Sequence, residues 1–344
     1  MIYLNHLLRA SAAILALCVP ARADAIADLA SFSAFKVDLD KLAGGAVQSA
    51  RGTPMSFPRG LSVESLYVVR KPLSKTAELH LQWDPTRHPE LKVYLHGDLS
   101  AHPKAAEFQK LGTAPSNGSV KSLVAATQKL GSGPTDLQLS HAEVKAFATT
   151  TPGANAAGGG LPPNITAFWT DVLFRRAQTF AAGGADRLPP YETGPEIVRP
   201  AEEIGRLLKD APKVRRQFGA LIDASPLTGG KAGGPELYWE MCDVEGQAAL
   251  TLGAVSSRTA GETWQALDGQ YYASAGYHVF LTFYQLWSVK IAGQECTLVW
   301  RGDLISSASL AALHGVERMG SSTAMMRGTK KNIESLLKDA AKAP

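Results

Sequence analysis

The stretch Gln270–Leu304, QYYASAGYHVFLTFYQLWSVKIAGQECTLVWRGDL, alternates large apolar side chains with mixed ones. Tyr277, Val279, Leu281, Phe283, Trp287, Val289 and Ile291 fall on one parity, with Gln285 the single break. His278, Phe280, Thr282, Tyr284, Leu286, Ser288 and Lys290 fall on the other. Period two marks a strand that commits one face to a core. Ala292-Gly293 reads as a tight turn, and the return strand alternates again, with Cys296, Leu298, Trp300 and Leu304 on one side. The whole reads as a long antiparallel hairpin. The segment after it repeats at helical spacing, with Met325, Met326, Thr329, Ile333, Leu336 and Leu337 sharing a face. Such an amphipathic helix needs an apolar partner, and the hairpin supplies one.

Working outward, Glu236–Val244 and Gln247–Val255 face each other across Glu245-Gly246, and Glu262–Leu267 reads as a further short strand. Far upstream, Leu61–Arg70 is strand-like. Lys71-Pro72 ends it, and a helix with Ser74 as its N-cap runs to Asp84-Pro85. Leu91–Leu95 is a short extended segment. From Ser100 to Gly234 the character changes. Gly, Pro, Ser and Ala gather between helical segments at Ser119–Leu130, Ile165–Ala182 and Pro200–Leu221, and Ser140 leads another helix into HAEVKAF. Thr149–Gly160 (TTTPGANAAGGG) reads as a mobile loop. The expected fold is therefore α+β. Residues 24–99 and 235–344 form a curved antiparallel sheet gripped by the carboxy-terminal helix, and residues 100–234 form a helical insert covering one side or end.

The first residues read as a removable export signal. Ala10–Val19 is a short apolar run, and Ala21-Arg22-Ala23 offers a small-x-small cleavage pattern with the mature chain starting at Asp24. A periplasmic or secreted protein is expected. Residues 1–23 hold two arginines and no acid, so the net charge of +4 falls to +2 on their removal. A balance so near zero gives no electrostatic case for nucleic acid. No later stretch reaches the ~20 uninterrupted apolar residues of a membrane span. Two cysteines remain, Cys242 and Cys296, both on expected strands of an exported chain. They are expected to form one disulfide, worth roughly 4 kcal/mol on the chain-entropy model.

The order of elements resembles the START-like, or helix-grip, superfamily. The likeness is carried by ESLYVVRKPLSKTAELHLQWD (Glu64–Asp84), by TLVWRGDLISSASL from Thr297, and by AMMRGTKKNIESLLKD ending at Asp339. That resemblance implies a curved sheet wrapped round a carboxy-terminal helix, an internal apolar cavity, and binding of a lipid or other apolar molecule. It implies no catalytic residues.

Motifs for chemistry are sparse. There is no Gly-x-Ser-x-Gly elbow and no His-Glu-x-x-His, and Gly158-Gly159-Gly160 runs into prolines rather than a P-loop lysine. His88, Glu90, His96, Asp98 and His102 lie close in sequence but at turns and extended segments, so they read as surface polar groups rather than metal ligands. Arg301 and Asp303, flanking Gly302, read as a salt bridge at a pocket rim. The expected ligand wall is the apolar parity: Tyr277, Leu281, Phe283, Trp287, Leu298 and Trp300, with Met325 and Met326 opposite. The expected function is binding, with possible transfer, of a lipid or other apolar small molecule without a cofactor. The alternatives are an interaction module with a packed core, or an exported hydrolase using the His88–Asp98 region.

Overall fold

In the computed structural model, which describes residues 20–33, 35–133, 135–148, 160–231 and 234–342, eight strands make one sheet. They are β1 (Gln48–Arg51), β2 (Gly60–Val69), β3 (Val93–Leu99), β4 (Glu236–Val244), β5 (Gln247–Ala260), β6 (Thr263–Ala273), β7 (Val279–Ile291) and β8 (Gln294–Ser306). Their order across the sheet is β1-β2-β8-β7-β6-β5-β4-β3, antiparallel at every step. The run from β4 to β8 is a simple meander. In the turns Glu245-Gly246 and Ala292-Gly293 all four residues have positive φ, between 49° and 90°. That is the two-residue hairpin geometry that suits the twist of the flanking strands.

β6 is a long strand rather than a short one, and it carries a bulge. Leu252 pairs with Tyr272 and Gly253 with Gln270, leaving Tyr271 as the extra residue. The bulge lets two successive tyrosines face the same side. Tyr271 stacks on Phe180 at 3.7 Å between ring centroids, and Tyr272 lies under the Arg176 guanidinium at 4.4 Å.

Both faces of the sheet are covered. One carries α1 (Pro20–Phe32), α2 (Leu39–Ala43) and, after α3 (Leu73–Gln82), the helices of the insert: α4 (Gly118–Gln128), α5 (His141–Ala148), α6 (Pro163–Gly183), α7 (Pro200–Asp210), α8 (Pro212–Gln217) and α9 (Gly219–Ala224). The insert shares one continuous core with the sheet: Phe108, Trp169, Leu173, Phe180, Leu207 and Phe218 pack with Leu281, Phe283, Leu298 and Trp300. Pro212 at the first position of α8 divides what the periodicity presents as one helix over residues 200–221. A buried ion pair fastens α5 to α6, with Arg176 donating to both oxygens of Glu143 at 2.7 Å. α5 opens with a capping box, as Ser140 Oγ accepts from the Glu143 amide and Glu143 accepts from the Ser140 amide.

The other face carries α3 and, after the single turn α10 (Ala308–Ala311), the long carboxy-terminal helix α11 (Gly315–Lys342). Ile333, Leu336 and Ala340 of α11 pack with Ala77 of α3 and with Tyr67, Val69, Trp264, Leu286 and Val299 of the sheet. α3 begins after Pro72 with no side-chain cap, so Ser74 lies inside the helix. The curved antiparallel sheet with a carboxy-terminal helix and a helical insert is thus observed, the insert covering the face opposite α11.

The cysteines correct one expectation. Cys242 on β4 and Cys296 on β8 are both free. Three strands lie between theirs. At about 4.8 Å per strand they stand roughly 19 Å apart, far beyond the ~7 Å between Cα atoms that a disulfide spans. In protein purified without reductant and then denatured, Cys242 and Cys296 are both expected to titrate as free thiols, and reductant should leave the melting temperature unchanged. Phe283 is fully buried between sheet and insert. Phe283→Ala should therefore cost about 3–5 kcal/mol in chemical denaturation.

Candidate functional site

Under α11 the sheet is not filled. A cavity of about 1150 Å³ lies between the face that carries α3 and α11, the edge strand β3 and the segment from Leu81 to Leu91. It is a cleft half open to solvent rather than a void sealed in the core. Its floor is the mixed parity of the strands: Tyr238, Glu240 and Cys242 of β4, Trp264, Ala266, Asp268 and Gln270 of β6, Phe280, Thr282 and Tyr284 of β7, and Arg301 of β8.

The roof is tied down by Asp339 of α11, which accepts from Trp83 Nε1 at 3.1 Å and pairs with His88 Nε2 at 2.7 Å. Ser335 Oγ donates to Glu90 Oε1 at 2.9 Å beside it. His88 and Glu90 thus serve as a strap over the cavity, while His96 pairs with Glu240 on the sheet and His102 is exposed. The histidines near residues 88–102 do not converge. Among the described residues no group of three or more His, Cys, Asp or Glu is placed to hold a metal ion.

Three polar arrangements line the floor. At the β3–β4 edge, Tyr277 Oη donates to Gln270 Oε1, whose amide donates to Glu240 Oε2 at 3.4 Å. Glu240 also pairs with His96 Nδ1 at 3.2 Å, and His96 Nε2 pairs with Asp98 at 3.2 Å. Burial works against a charge on His96, but the two carboxylates outweigh it and raise the imidazole above its ordinary value. Both its nitrogens then donate.

At the β7–β8 side, Asp303 accepts from Arg301 Nε at 2.9 and 3.0 Å, from Thr282 Oγ1 at 2.8 Å and from Thr329 Oγ1 of α11 at 3.0 Å. Arg301 Nη1 donates to Asn332 Oδ1 at 3.0 Å. The expected Arg301–Asp303 pair exists, but it is buried beneath the helix rather than placed at a rim. Nearby, His80 Nδ1 donates to the Thr76 carbonyl at 2.8 Å, which leaves Nε2 to accept from Tyr67 Oη at 2.9 Å. Burial pushes this imidazole down to about 4, so it is neutral.

Between the two stands Asp268. Tyr238 Oη donates to its Oδ1 at 2.7 Å. The Tyr238 ring lies across Gly253, where an added Cβ would fall 2.1 Å from the ring. Burial raises the Asp268 carboxyl from an ordinary 3.8 to about 7; the Tyr238 hydroxyl opposes this and Glu240 reinforces it.

Of the apolar wall expected from the sequence, only Tyr277 borders the cavity. Leu281, Phe283, Trp287, Leu298 and Trp300 point the other way, into the core beneath the insert. Met325 and Met326 are half-buried on α11 and belong neither to the cavity wall nor to either core. The physical reason is parity. The most apolar face of these strands is the one the insert seals, and the mixed face borders the open space. The residues that line the cavity carried a signal of their own, Tyr238-x-Glu240 and Asp268-x-Gln270 at strand spacing, polar groups on strands otherwise buried on both faces.

A carboxyl that holds its proton more tightly when folded favours the fold at low pH, and this contribution is lost as pH rises through about 7. Asp268→Asn should therefore gain thermal stability relative to the parent as pH climbs from about 4 to about 8, read from melting curves across that range.

Comparison with known proteins found no matching family model, no matching curated protein and no matching solved structure.

Proposed function

We propose that this is an exported, non-catalytic binding protein that holds, and in use transfers, a lipid or similar small molecule in the cavity under its carboxy-terminal helix. The observation that carries the reading is the cavity itself, about 1150 Å³. This is just above the roughly 300–1,000 Å³ typical of ligand pockets. An interaction module with a filled core has no use for such a space. The resemblance to the helix-grip superfamily supports the same reading, since its sheet encloses a cavity against its last helix. Cleavage after Ala23 falls within the first turn of α1 (Pro20–Phe32) and keeps its buried residues Ala25, Leu29 and Phe32.

The wall refines the ligand. Trp264, Phe280 and Tyr284 offer apolar surface, while Tyr238, Asp268 and Gln270 offer hydrogen bonds. An amphipathic molecule suits this better than a wholly apolar one. Burial of an alkyl chain supplies about 0.8 kcal/mol per methylene, so a dozen methylenes leave ample affinity after the costs of association.

The test is native mass spectrometry of the protein from its own compartment, before and after organic extraction. A removable small-molecule mass is expected. Ala266→Trp, which places an indole on the cavity floor, should abolish reloading, whereas Phe283→Ala should weaken the fold yet still load. A clean apo mass that takes up no added amphiphile sinks the proposal.

A further inference from the structure

Of the acidic side chains bordering the cavity, Glu240 and Asp268 stand on the sheet floor, with Asp303 buried beside them under Arg301, and the surroundings of these three differ. Asp303 is saturated by Arg301, Thr282 and Thr329. Glu240 is paired with His96 and held by Gln270. Among the described residues Asp268 has a single hydrogen bond, from Tyr238, and no cation paired with it. It sits mid-floor, opposite Thr282 across β6 and β7 and diagonal to Phe280 and Tyr284, within reach of large rings at that spacing.

We propose that the polar end of the cavity's occupant is an ammonium group, a protonated primary, secondary or tertiary amine, seated against Asp268 with its apolar body along the neighbouring rings. This rests on reading the cavity as a binding site. Rings facing a cation attract it through their negative faces. An anionic head group finds no such host. Arg301, the deep cation of the wall, is consumed by Asp303. His80 from α3 is neutral, and His96 is held by two carboxylates at the edge. The remaining lysine of the lining, Lys110, is exposed and donates to the His96 carbonyl.

The groups facing Asp268 fix the sign of its pH response. Tyr238 and Glu240 face it from β4, Tyr284 from β7, Arg301 and Asp303 from β8, and Asn332 borders the same space from α11. Burial, Glu240 and Asp303 favour the protonated carboxyl, and Tyr238 and Arg301 favour the ionised one, with about 7 as the balance. An ammonium binds the ionised form and must displace the proton below that point.

The test uses the mature protein and three probes of equal chain length, dodecylammonium, dodecanol and dodecanoate, titrated by calorimetry. Near pH 8 dodecylammonium should bind at least about tenfold tighter than dodecanol, and dodecanoate more weakly than either. Between about pH 8 and about pH 6 the ammonium should lose roughly tenfold in affinity while dodecanol stays constant. Asp268→Asn should erase both the preference and the pH dependence, bringing dodecylammonium to the level of dodecanol in the same variant. Should that variant not fold, the pH series on the parent decides alone. Dodecanoate binding as tightly as the ammonium, an ammonium no tighter than dodecanol, or a preference that survives Asp268→Asn overturns the inference and leaves the binding function standing. Failure of all three probes overturns both.

Discussion

Asp303 is the carboxylate around which the cavity side of the molecule is arranged. It is fully buried and accepts from Arg301, from Thr282 on the next strand and from Thr329 on α11. A buried charge left unpaired is among the most costly defects a fold can carry. α11 must therefore lie where Thr329 reaches Asp303 and Asn332 reaches Arg301, and a slip of one residue along the helix would cost the buried pair both of these contacts. Polar contacts fix the middle of the helix, while Ile333, Leu336 and Ala340 fix its end. The floor between α11 and the edge strands β4 and β3 is left unfilled, and that is where the open space lies.

Much of this fold was legible in the chain. Alternation gave the hairpin β7–β8 and its turn at Ala292-Gly293, and the pairing of β4 with β5 across Glu245-Gly246. The helix-period face of residues 322–337 gave a last helix in need of a partner. The order of elements gave a curved sheet gripped by that helix. The side of the sheet was not legible. Period two separates two faces but does not say which one another layer will seal, and the most apolar face was matched to a ligand when it belonged to the insert. Leu281, Phe283, Trp287, Leu298 and Trp300 fill space; Tyr238, Asp268 and Gln270 leave it open.

Two other features escaped for a related reason. The bulge at Tyr271 changes parity within β6, and no composition rule marks it: QYY looks like any strand. The distance between Cys242 and Cys296 depends on strand order, which a count of cysteines does not contain. In each case the missing information is a relation between segments far apart in sequence. The mobile-loop expectation for Thr149–Gly160 falls mostly outside the described residues, and what is described of the insert touches the cavity chiefly through Lys110.

The strap joining Trp83 and His88 to Asp339, and the pairing of β2 with β8, bind the two ends of the chain across more than 200 residues. Contacts so far apart in sequence form late, because the intervening loop must close before they repay its entropy. During synthesis, then, β2 waits as an unpaired sheet edge while the insert and the meander emerge. The cavity gains its roof only when the last helix arrives. A nascent or truncated chain thus exposes the floor that the finished molecule conceals, and its handling by chaperones in that interval is part of what the fold demands.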